Sequence, residues 1–218
     1  MRALESWVQP HHLSNGTLQN YHEAFTSHPC RLVVIKDFLQ PRVAERLSRF
    51  LAEEAIFHTE YGVYSSDSGI AETEFLTAVE SNRFFRLSKL TGVNPSFAMS
   101  PNAITYLQFR QSFQRPEFKL FFEEISGMSL GWSDDFGAHK MCDGDFLRPH
   151  SDDNRNRRLA LVIYLSPDWE RQFGGSLHVI NQSGQNTEIV PDYNSMVAFD
   201  VLGAEQHYVK PITKAVRL

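Results

Sequence analysis

Two histidines and one carboxylate in the last third of the chain have the types and spacing of a metal-binding set. His150 and Asp152 are separated by one residue, so in extended chain both side chains point to the same side. His207 follows one β-prone run and precedes another, so a sheet can bring it to the same place. Two imidazoles and one carboxylate on one face of an octahedron leave the opposite positions open, as in non-haem Fe(II) oxygenases. The alternative is that these residues are solvated side chains beside turns, since His-x-Asp occurs by chance in many chains.

A positive charge lies at a useful distance from this set. Arg217 lies ten residues after His207, beyond a turn at Pro211 and on a β-prone run. A guanidinium there can bind the distal carboxylate of 2-oxoglutarate as a bidentate pair. The alternative is that Arg217, the penultimate residue, is a solvated terminal charge, and that Lys210 or Lys214 binds the co-substrate.

Short β-prone runs separated by Gly, Asp, Asn and Pro fill the chain after Gly131. Repeated short strands with such turn signals are typical of a sandwich or small barrel. Because helical patterns precede them, the sequence predicts a mainly β protein with N-terminal helices (α+β), in which helices cover one side of a jelly roll. The predicted strands are His139–Cys142, Leu159–Leu165, Ser176–Asn181, Thr187–Val190, Ser195–Asp200 and Tyr208–Val216.

The N-terminal part is predicted to be mostly helical. A β-branched strand over Arg31–Asp37 leads into an amphipathic helix that begins at Pro41. The segment Tyr61–Gly69 is rich in Tyr, Ser and Gly and has no clear period, which predicts a loop. Helical patterning returns over about Glu72–Leu90.

A further helical stretch is predicted over about Pro101–Ser126, broken near Pro116 and ended by Gly127. No linker, repeat or low-complexity tract divides the chain. We therefore expect one domain over 1–218, with helical support over about 38–128 and a jelly-roll core over about 131–218 plus the strand at 31–37.

Composition limits the kind of partner. The formal net charge of −5 gives no general electrostatic footprint for nucleic acid or an anionic membrane. No stretch approaches the roughly 20 apolar residues that span a bilayer. Cys30 and Cys142 lie far apart and do not suggest the disulfide framework of a secreted domain. We expect a cytoplasmic protein that binds a small-molecule or peptidyl substrate, without nucleic-acid or membrane partners; no pattern indicates an oligomeric state.

Several motifs together resemble a known family. They are Gly144–Asp152 (GDFLRPHSD), Arg158–Leu165 (RLALVIYL), Pro167–Trp169 (PDW), Gly174–Leu177 (GGSL) and the spacing from His207 to Arg217. This set resembles the 2-oxoglutarate- and Fe(II)-dependent dioxygenases of the prolyl-hydroxylase superfamily. Within that superfamily it is similar to the catalytic domains of the ribosomal prolyl hydroxylases and their bacterial relatives. The resemblance covers about 31–218.

The resemblance implies a double-stranded β-helix, which is a jelly roll, and a site for Fe(II), 2-oxoglutarate and O₂. Ascorbate is a further candidate cofactor. It implies that His150, Asp152 and His207 are both the iron ligands and the catalytic centre, and that Arg217 binds 2-oxoglutarate. One departure concerns Met141, because the family often has a Tyr there that helps to hold 2-oxoglutarate. A thioether cannot donate that hydrogen bond, so the hydroxyl of Tyr164 or Tyr106 is a candidate to complete the pocket.

The predicted reaction depends on the carboxylate of Asp152. Related halogenases replace it with a small residue, so Asp152 favours hydroxylation of an unactivated C–H bond, with release of succinate and CO₂. The substrate is either a prolyl residue in a protein or an amino-acid-like small molecule. Two alternatives stay open, namely an oxygenase that performs desaturation or cyclisation on a small metabolite, and a metal-binding jelly-roll module without turnover.

Four residues are candidate substrate contacts, each with a structural alternative. Arg157 and Arg158 follow the ligand pair and can bind a substrate carboxylate, or form a solvated turn. Tyr64 lies in the loop Tyr61–Gly69, which is either a lid over the substrate or an ordinary surface loop. Trp169 either stacks on a ring substrate or is a partly buried structural residue.

Overall fold

The computed structural model describes residues 4–131, 136–152 and 157–213. Five α-helices and ten strands make up the described chain. The helices are α1 (Asn15–Ser27), α2 (Pro41–Arg49), α3 (Glu72–Thr77), α4 (Pro101–Phe113) and α5 (Pro116–Ser126). The strands are β1 (Leu32–Ile35), β2 (Ala55–Val63), β3 (Arg83–Val93), β4 (His139–Lys140), β5 (Phe146–His150), β6 (Leu159–Tyr164), β7 (Leu177–Asn181), β8 (Asn186–Ile189), β9 (Ser195–Asp200) and β10 (Ala204–Val209).

The strands form two antiparallel sheets that face each other. The smaller sheet has the order β1-β9-β6, and the larger sheet has the order β2-β3-β5-β10-β7-β8, with β4 paired to β3. An apolar cluster fills the space between the sheets. It joins side chains of the small sheet, such as Val197 and Phe199, to side chains of the large sheet, such as Leu177 and Val179. Two antiparallel sheets packed around one cluster are the arrangement expected for a jelly roll.

The helices cover the outer face of the small sheet. A second apolar cluster joins alternate residues of β1 and β9, such as Val33 and Met196, to aromatic residues of α4 and α5, such as Phe109 and Phe121. The central strand β9 is therefore buried on both faces, which explains its nearly continuous apolar sequence. The helices therefore support the small sheet from its outer side, while its inner side packs against the large sheet.

The helix ends follow their sequence signals. Ser100 caps α4 by accepting a hydrogen bond from the backbone N–H of Ala103, and Pro101 occupies the first turn. Gly127 ends α5 with a φ of 68°, a left-handed conformation that glycine adopts without strain. The predicted helical stretch Pro101–Ser126, with its break near Pro116, is confirmed.

The predicted helix over Glu72–Leu90 is wrong for most of its length. Only Glu72–Thr77 is α-helical, and Arg83–Val93 forms the long strand β3. The predicted loop at Tyr61–Gly69 is also too long, because β2 continues to Val63. The hairpin pairing of β2 with β3, and the pairing of β3 with β5, override the local helical spacing of the apolar residues.

The last predicted strand, Tyr208–Val216, is placed too late. Strand β10 covers Ala204–Val209, and Ile212 forms only an isolated bridge. The polar residues Glu205 and Gln206 concealed the true beginning of the strand, whereas pairing with β7 holds it in place. Residues 214–216 lie outside the described residues.

The region 38–128 is less purely helical than predicted, because it contributes β2 and β3 to the large sheet. Helical structure also begins earlier, with α1 at Asn15. The sequence gives no signal for strand β5, since Phe146–His150 contains a Pro and an Arg and has no apolar alternation. Among the described residues, no helix combines the length and apolar character needed to span a membrane.

Candidate metal centre

The pairing of β5 with β10 brings two of the predicted ligands together. His150, the last residue of β5, lies directly opposite His207 in β10. Residues that face each other across antiparallel strands have Cβ atoms within about 4.5–5.5 Å, close enough for their side chains to interact. The two imidazole rings accordingly lie with their centroids 4.1 Å apart. Local sequence spacing could not supply this contact, because 56 residues of chain separate the two histidines.

Asp152 completes the cluster just beyond the end of β5. One carboxylate oxygen lies 3.7 Å from His150 Nε2 and the other lies 3.6 Å from His207 Nε2. The potential ligand atoms of the three residues all lie within 4.8 Å of one another. Because bonds from a transition metal to imidazole nitrogen or carboxylate oxygen are about 2.0–2.2 Å long, one ion can reach these atoms with small adjustments. Within the described residues, this is the one cluster of three or more potential His, Cys, Asp or Glu ligands.

The hydrogen bond of His150 and the lowered pKa of His207 suit metal binding. His150 Nδ1 lies 3.0 Å from the backbone oxygen of Arg148, so an Nδ1–H donated to that oxygen leaves Nε2 free as an acceptor. Burial, and next the charge of His150, lower the pKa of His207 to about 4. His207 is therefore neutral at physiological pH, which is the form that binds a metal.

Of the two predicted substrate arginines, Arg157 contacts the cluster. Its Nη1 lies 2.9 Å from Oδ2 of Asp152, the same oxygen that faces His207. A bond of this kind orients the carboxylate while leaving its other oxygen available. Arg158 is exposed, and its backbone oxygen accepts a hydrogen bond from Val201. Arg157 thus contacts a predicted iron ligand, whereas the contact found for Arg158 among the described residues is a backbone hydrogen bond.

Tyr64 reaches the site through an aromatic neighbour. Its ring stacks on Phe84 at 4.9 Å, and the edge of Phe84 contacts the His150 ring at 5.2 Å. The Tyr64 hydroxyl donates to the backbone oxygen of Pro149 at 2.8 Å. Tyr64 therefore lies at the rim of the cluster with half of its surface exposed.

The two candidate hydroxyls for the co-substrate pocket lie in different cores. Tyr164 lies on β6 and packs with the cluster between the two sheets, where burial raises its phenol pKa. Tyr106 packs among the helices and stacks on Phe50 at 4.5 Å. The interior position of Tyr164 favours it over Tyr106. Met141 follows β4 directly and is half-buried.

Arg217, the residue expected to bind 2-oxoglutarate, lies outside the described residues, and so does the alternative Lys214. The other competitor, Lys210, lies 3.7 Å from Glu188. The Glu188 carboxylate also accepts a hydrogen bond from Ser176 and forms an ion pair with Arg171. Lys210 therefore has an acidic partner in the described chain.

Trp169 has a structural role in the turn before β7. Its indole N–H donates to the backbone oxygen of Gly174 at 3.1 Å, and its ring packs edge-on against Phe173. The backbone of Gly174 pairs with Ile212, so this turn holds the chain that leaves β10. The interpretation of Trp169 as a partly buried structural residue accounts for these contacts.

Replacing Gly174 by alanine is expected to destabilise the protein by roughly 3 kcal/mol or more, because the new Cβ overlaps backbone and the backbone conformation is strained. That Cβ would lie 2.1 Å from the oxygen of Pro211, and the φ of Gly174 is +76°. Gly184→Ala is the matched control, since Gly184 has a φ of +79° with no atom within 4 Å of the new Cβ. Its expected cost is about 1–2 kcal/mol. Urea unfolding measures both, and equal losses would contradict the role assigned to this turn.

Sequence reasoning missed two aromatic residues that support the cluster. Phe84 on β3 packs against His150, and Phe199 on β9 packs edge-on against His207 at 5.2 Å. Neither has a local signal, because each reaches its histidine only through strand pairing or through packing between the sheets. Together they give the two imidazoles apolar walls that restrict their rotation.

Comparison with known proteins connects this cluster to a family. Residues 136–218 match the family described as the 2OG-Fe(II) oxygenase superfamily. The matched segment includes His150, Asp152 and His207. This part of the chain is therefore similar to 2OG-Fe(II) oxygenases. Members of this family use Fe(II), 2-oxoglutarate and O₂, and the cluster of two histidines and one aspartate in this chain offers ligand types suited to Fe(II).

Two curated relatives match part of this chain. The chain is 29% identical over 102 residues to prolyl 3-hydroxylase OGFOD1 of Mus musculus, which covers 44% of this chain and 19% of the mouse protein. It is 30% identical over 102 residues to the same-named protein of Xenopus laevis, covering 44% of this chain and 20% of that protein. The matched segment thus spans about a fifth of the length of these curated relatives.

Solved structures resemble this chain over nearly its whole length. A Pseudomonas putida prolyl-4-hydroxylase superposes with a TM-score of 0.56 at 18% identity, covering 90% of this chain and 92% of that one. A 2OG-Fe(II) oxygenase-family oxidoreductase of Burkholderia pseudomallei superposes with a TM-score of 0.60 at 14% identity, covering 92% and 86%. Identities this low establish the fold, and the predicted jelly roll is confirmed.

Proposed function

We propose that this protein is an Fe(II)- and 2-oxoglutarate-dependent dioxygenase that hydroxylates a prolyl residue in a polypeptide. The observation that carries the proposal is the convergence of His150, Asp152 and His207, with all three potential ligand atoms within 4.8 Å. Two imidazoles and one carboxylate would supply three ligands, the set that non-haem Fe(II) oxygenases use with the other positions left open for co-substrate and O₂. When bound, the iron supplies the oxidation of a C–H bond by O₂, coupled to conversion of 2-oxoglutarate to succinate and CO₂.

The protein's own residues have separate roles in this proposal. His150 and His207 hold the metal through Nε2, and the hydrogen bond from His150 Nδ1 to Arg148 maintains that orientation. Arg217 binds the distal carboxylate of 2-oxoglutarate, and the Tyr164 hydroxyl, in the interior, takes over the hydrogen bond that Met141 cannot donate. The apolar cluster between the sheets excludes water from the inner side of the pocket.

A prolyl substrate is supported by the relatives. OGFOD1 is named a prolyl 3-hydroxylase, and the P. putida protein is named a prolyl-4-hydroxylase. A Trichoplax adhaerens prolyl hydroxylase was solved in complex with a peptide fragment of hypoxia inducible factor, with a TM-score of 0.50 to this chain, 15% identity, and coverage of 91% and 88%. A peptide can lie across the exposed rim that Tyr64 forms beside His150.

The proposal is tested by incubating the protein with Fe(II), 2-oxoglutarate and proline-containing peptides in air. We expect succinate formation that depends on the peptide, together with a mass increase of one oxygen atom on proline. Free amino acids serve as the comparison. Turnover with free amino acids but not with peptides would show that the substrate is a small molecule and not a prolyl residue. A product that has lost two hydrogens without gaining oxygen would indicate desaturation.

Arg157→Ala is expected to weaken metal binding about tenfold, within the range of 10–100-fold that is typical when a partner of a ligand is removed. The reason is the 2.9 Å contact that orients the Asp152 carboxylate. Arg158→Ala is the matched control, because Arg158 is adjacent in sequence and exposed. Titration with Mn(II), followed by the EPR signal of the free ion, measures both variants. Equal Mn(II) affinities in the two variants would contradict the proposal that Arg157 orients the Asp152 carboxylate.

We also propose that the protein resides in the cytoplasm. The support is the state of its two cysteines, since Cys30 and Cys142 are both free thiols and Cys142 is exposed. An exposed thiol persists in reduced form in a reducing compartment. Cell fractionation with an antibody against the chain tests this, and recovery in a secreted fraction would contradict it.

A further inference from the structure

The connection between β2 and β3 combines exposed apolar side chains with a one-sided charge. We refer to residues 64–82 as the acidic connection. It contains Asp67, Glu72, Glu74 and Glu80 and no Lys or Arg. Its exposed apolar residues are Tyr64, Leu76 and Val79, whose exposed fractions are 48%, 59% and 72%. Exposed apolar residues grouped with charges of one sign are typical of a surface that contacts another molecule.

The acidic connection borders the candidate iron site at two points. The Tyr64 hydroxyl bonds to the backbone oxygen of Pro149, the residue before His150. At the other end, Glu80 lies 3.5 Å from Arg148, two residues before His150. A chain lying on this surface would therefore be led directly to the metal cluster.

Two arginines, Arg83 and Arg148, border the acidic connection, and neither pairs with Asp67 or Glu74. Arg83 donates to the backbone oxygens of Leu76 and Ala78, and its guanidinium lies over the Phe75 ring at 5.2 Å. Arg83 thus supports the backbone of the connection through hydrogen bonds, whereas Arg148 pairs with Glu80 at 3.5 Å. Among the described residues, no cation forms an ion pair with Asp67 or Glu74. The side chain of Glu80 is 84% exposed, so it too faces solvent.

We propose that the acidic connection docks the polypeptide substrate, and that this substrate carries Lys or Arg beside the residue to be oxidised. This inference rests on the proposed function and specifies its substrate class. The occupant follows from charge complementarity, because an acidic peptide would be repelled by four carboxylates. The apolar residues Leu76 and Val79 contact the aliphatic stems of those Lys or Arg side chains.

The test compares two peptides that share a central proline and differ only in their flanks, which are lysines in one and glutamines in the other. Binding is measured by fluorescence anisotropy on the protein loaded with Mn(II) and 2-oxoglutarate without O₂. We expect the lysine peptide to bind about tenfold more tightly at low salt, since each exposed charge pair contributes roughly two- to fivefold. Raising the ionic strength should reduce this preference.

The variant Asp67→Asn/Glu74→Gln/Glu80→Gln should remove most of the preference. Glu72 is left intact, because it forms a hydrogen bond with Tyr61. The matched control is Glu53→Gln/Glu124→Gln, which neutralises two exposed carboxylates in the helical region. The control should bind both peptides like the wild-type protein.

Two results would overturn the inference. One is equal binding of the two peptides, including no binding of either, to a protein that forms the visible Fe(II)–2-oxoglutarate complex. The other is a lysine preference that survives in the triple variant. In both cases the proposed function stands without this docking surface. Absence of the Fe(II)–2-oxoglutarate complex would instead overturn the proposed function, and this inference with it.

Discussion

Replacing His207 by alanine is expected to abolish tight binding of Fe(II) or Mn(II), and with it all turnover of 2-oxoglutarate. Removal of a residue that merely orients a ligand costs about 10–100-fold in metal affinity, so removal of a ligand itself should cost more than about 100-fold. His207 is 7% exposed and neutral, and it lies directly opposite His150. No other described His, Cys, Asp or Glu stands in a cluster that could replace it. Titration with Mn(II) monitored by EPR gives the affinity.

His178→Ala is the matched control for this prediction. His178 is 4% exposed and lies on β7, the strand beside β10. Its ring stacks on Tyr208 and its nitrogens lie within hydrogen-bond distance of Ser176 and Asn186, so it takes no part in the metal cluster. We expect its loss to reduce stability by about 1–3 kcal/mol and leave Mn(II) affinity unchanged. Similar metal affinities in the two histidine variants would contradict the assignment of His207.

Truncation of Arg217 to alanine is expected to raise the 2-oxoglutarate concentration for half-maximal turnover by about a hundredfold. Removal of one partner of a buried, hydrogen-bonded charge pair costs about 2–5 kcal/mol. Arg217 lies outside the described residues, so this prediction rests on its position ten residues after His207 and on the bidentate geometry of guanidinium with carboxylate. Mn(II) affinity without 2-oxoglutarate should not change.

Lys210→Ala and Lys214→Ala are the controls for Arg217. Lys210 lies beside Glu188, so its loss should leave the 2-oxoglutarate requirement near that of the wild-type protein. Lys214 shares the terminal segment with Arg217 and tests whether any cation there suffices. If the 2-oxoglutarate concentration for half-maximal turnover rises more in Lys214→Ala than in Arg217→Ala, Lys214 and not Arg217 binds the distal carboxylate.

The sequence indicates which residues are candidate ligands, but the contact between the two histidines depends on the pairing of strands β5 and β10. The spacing of His150 and Asp152 is local, and alternation along an extended chain is enough to place both side chains on one side. The contact between His150 and His207 instead requires the register of β5 with β10. Strand β10 begins with polar residues, so the sequence predicts its bounds wrongly although it indicates His207 as a ligand.

The fold shows the same division between local and non-local information. Helices α4 and α5 were predictable because Pro, Ser and Gly mark their ends. Strand β3 was mistaken for helix because its apolar residues satisfy a helical period, and only pairing with β2 and β5 decides its structure. The contribution of Phe84 to the site follows from that pairing, so no local pattern could have predicted it.

We propose above all that His150, Asp152 and His207 hold an iron ion that also binds 2-oxoglutarate. The most direct measurement is the visible absorption spectrum after anaerobic addition of Fe(II) and 2-oxoglutarate to the folded protein. We predict a charge-transfer band of the iron–2-oxoglutarate complex in the wild-type protein and its loss in His150→Ala. Absence of the band from folded wild-type protein, or a band that persists unchanged in His150→Ala, would contradict the claim.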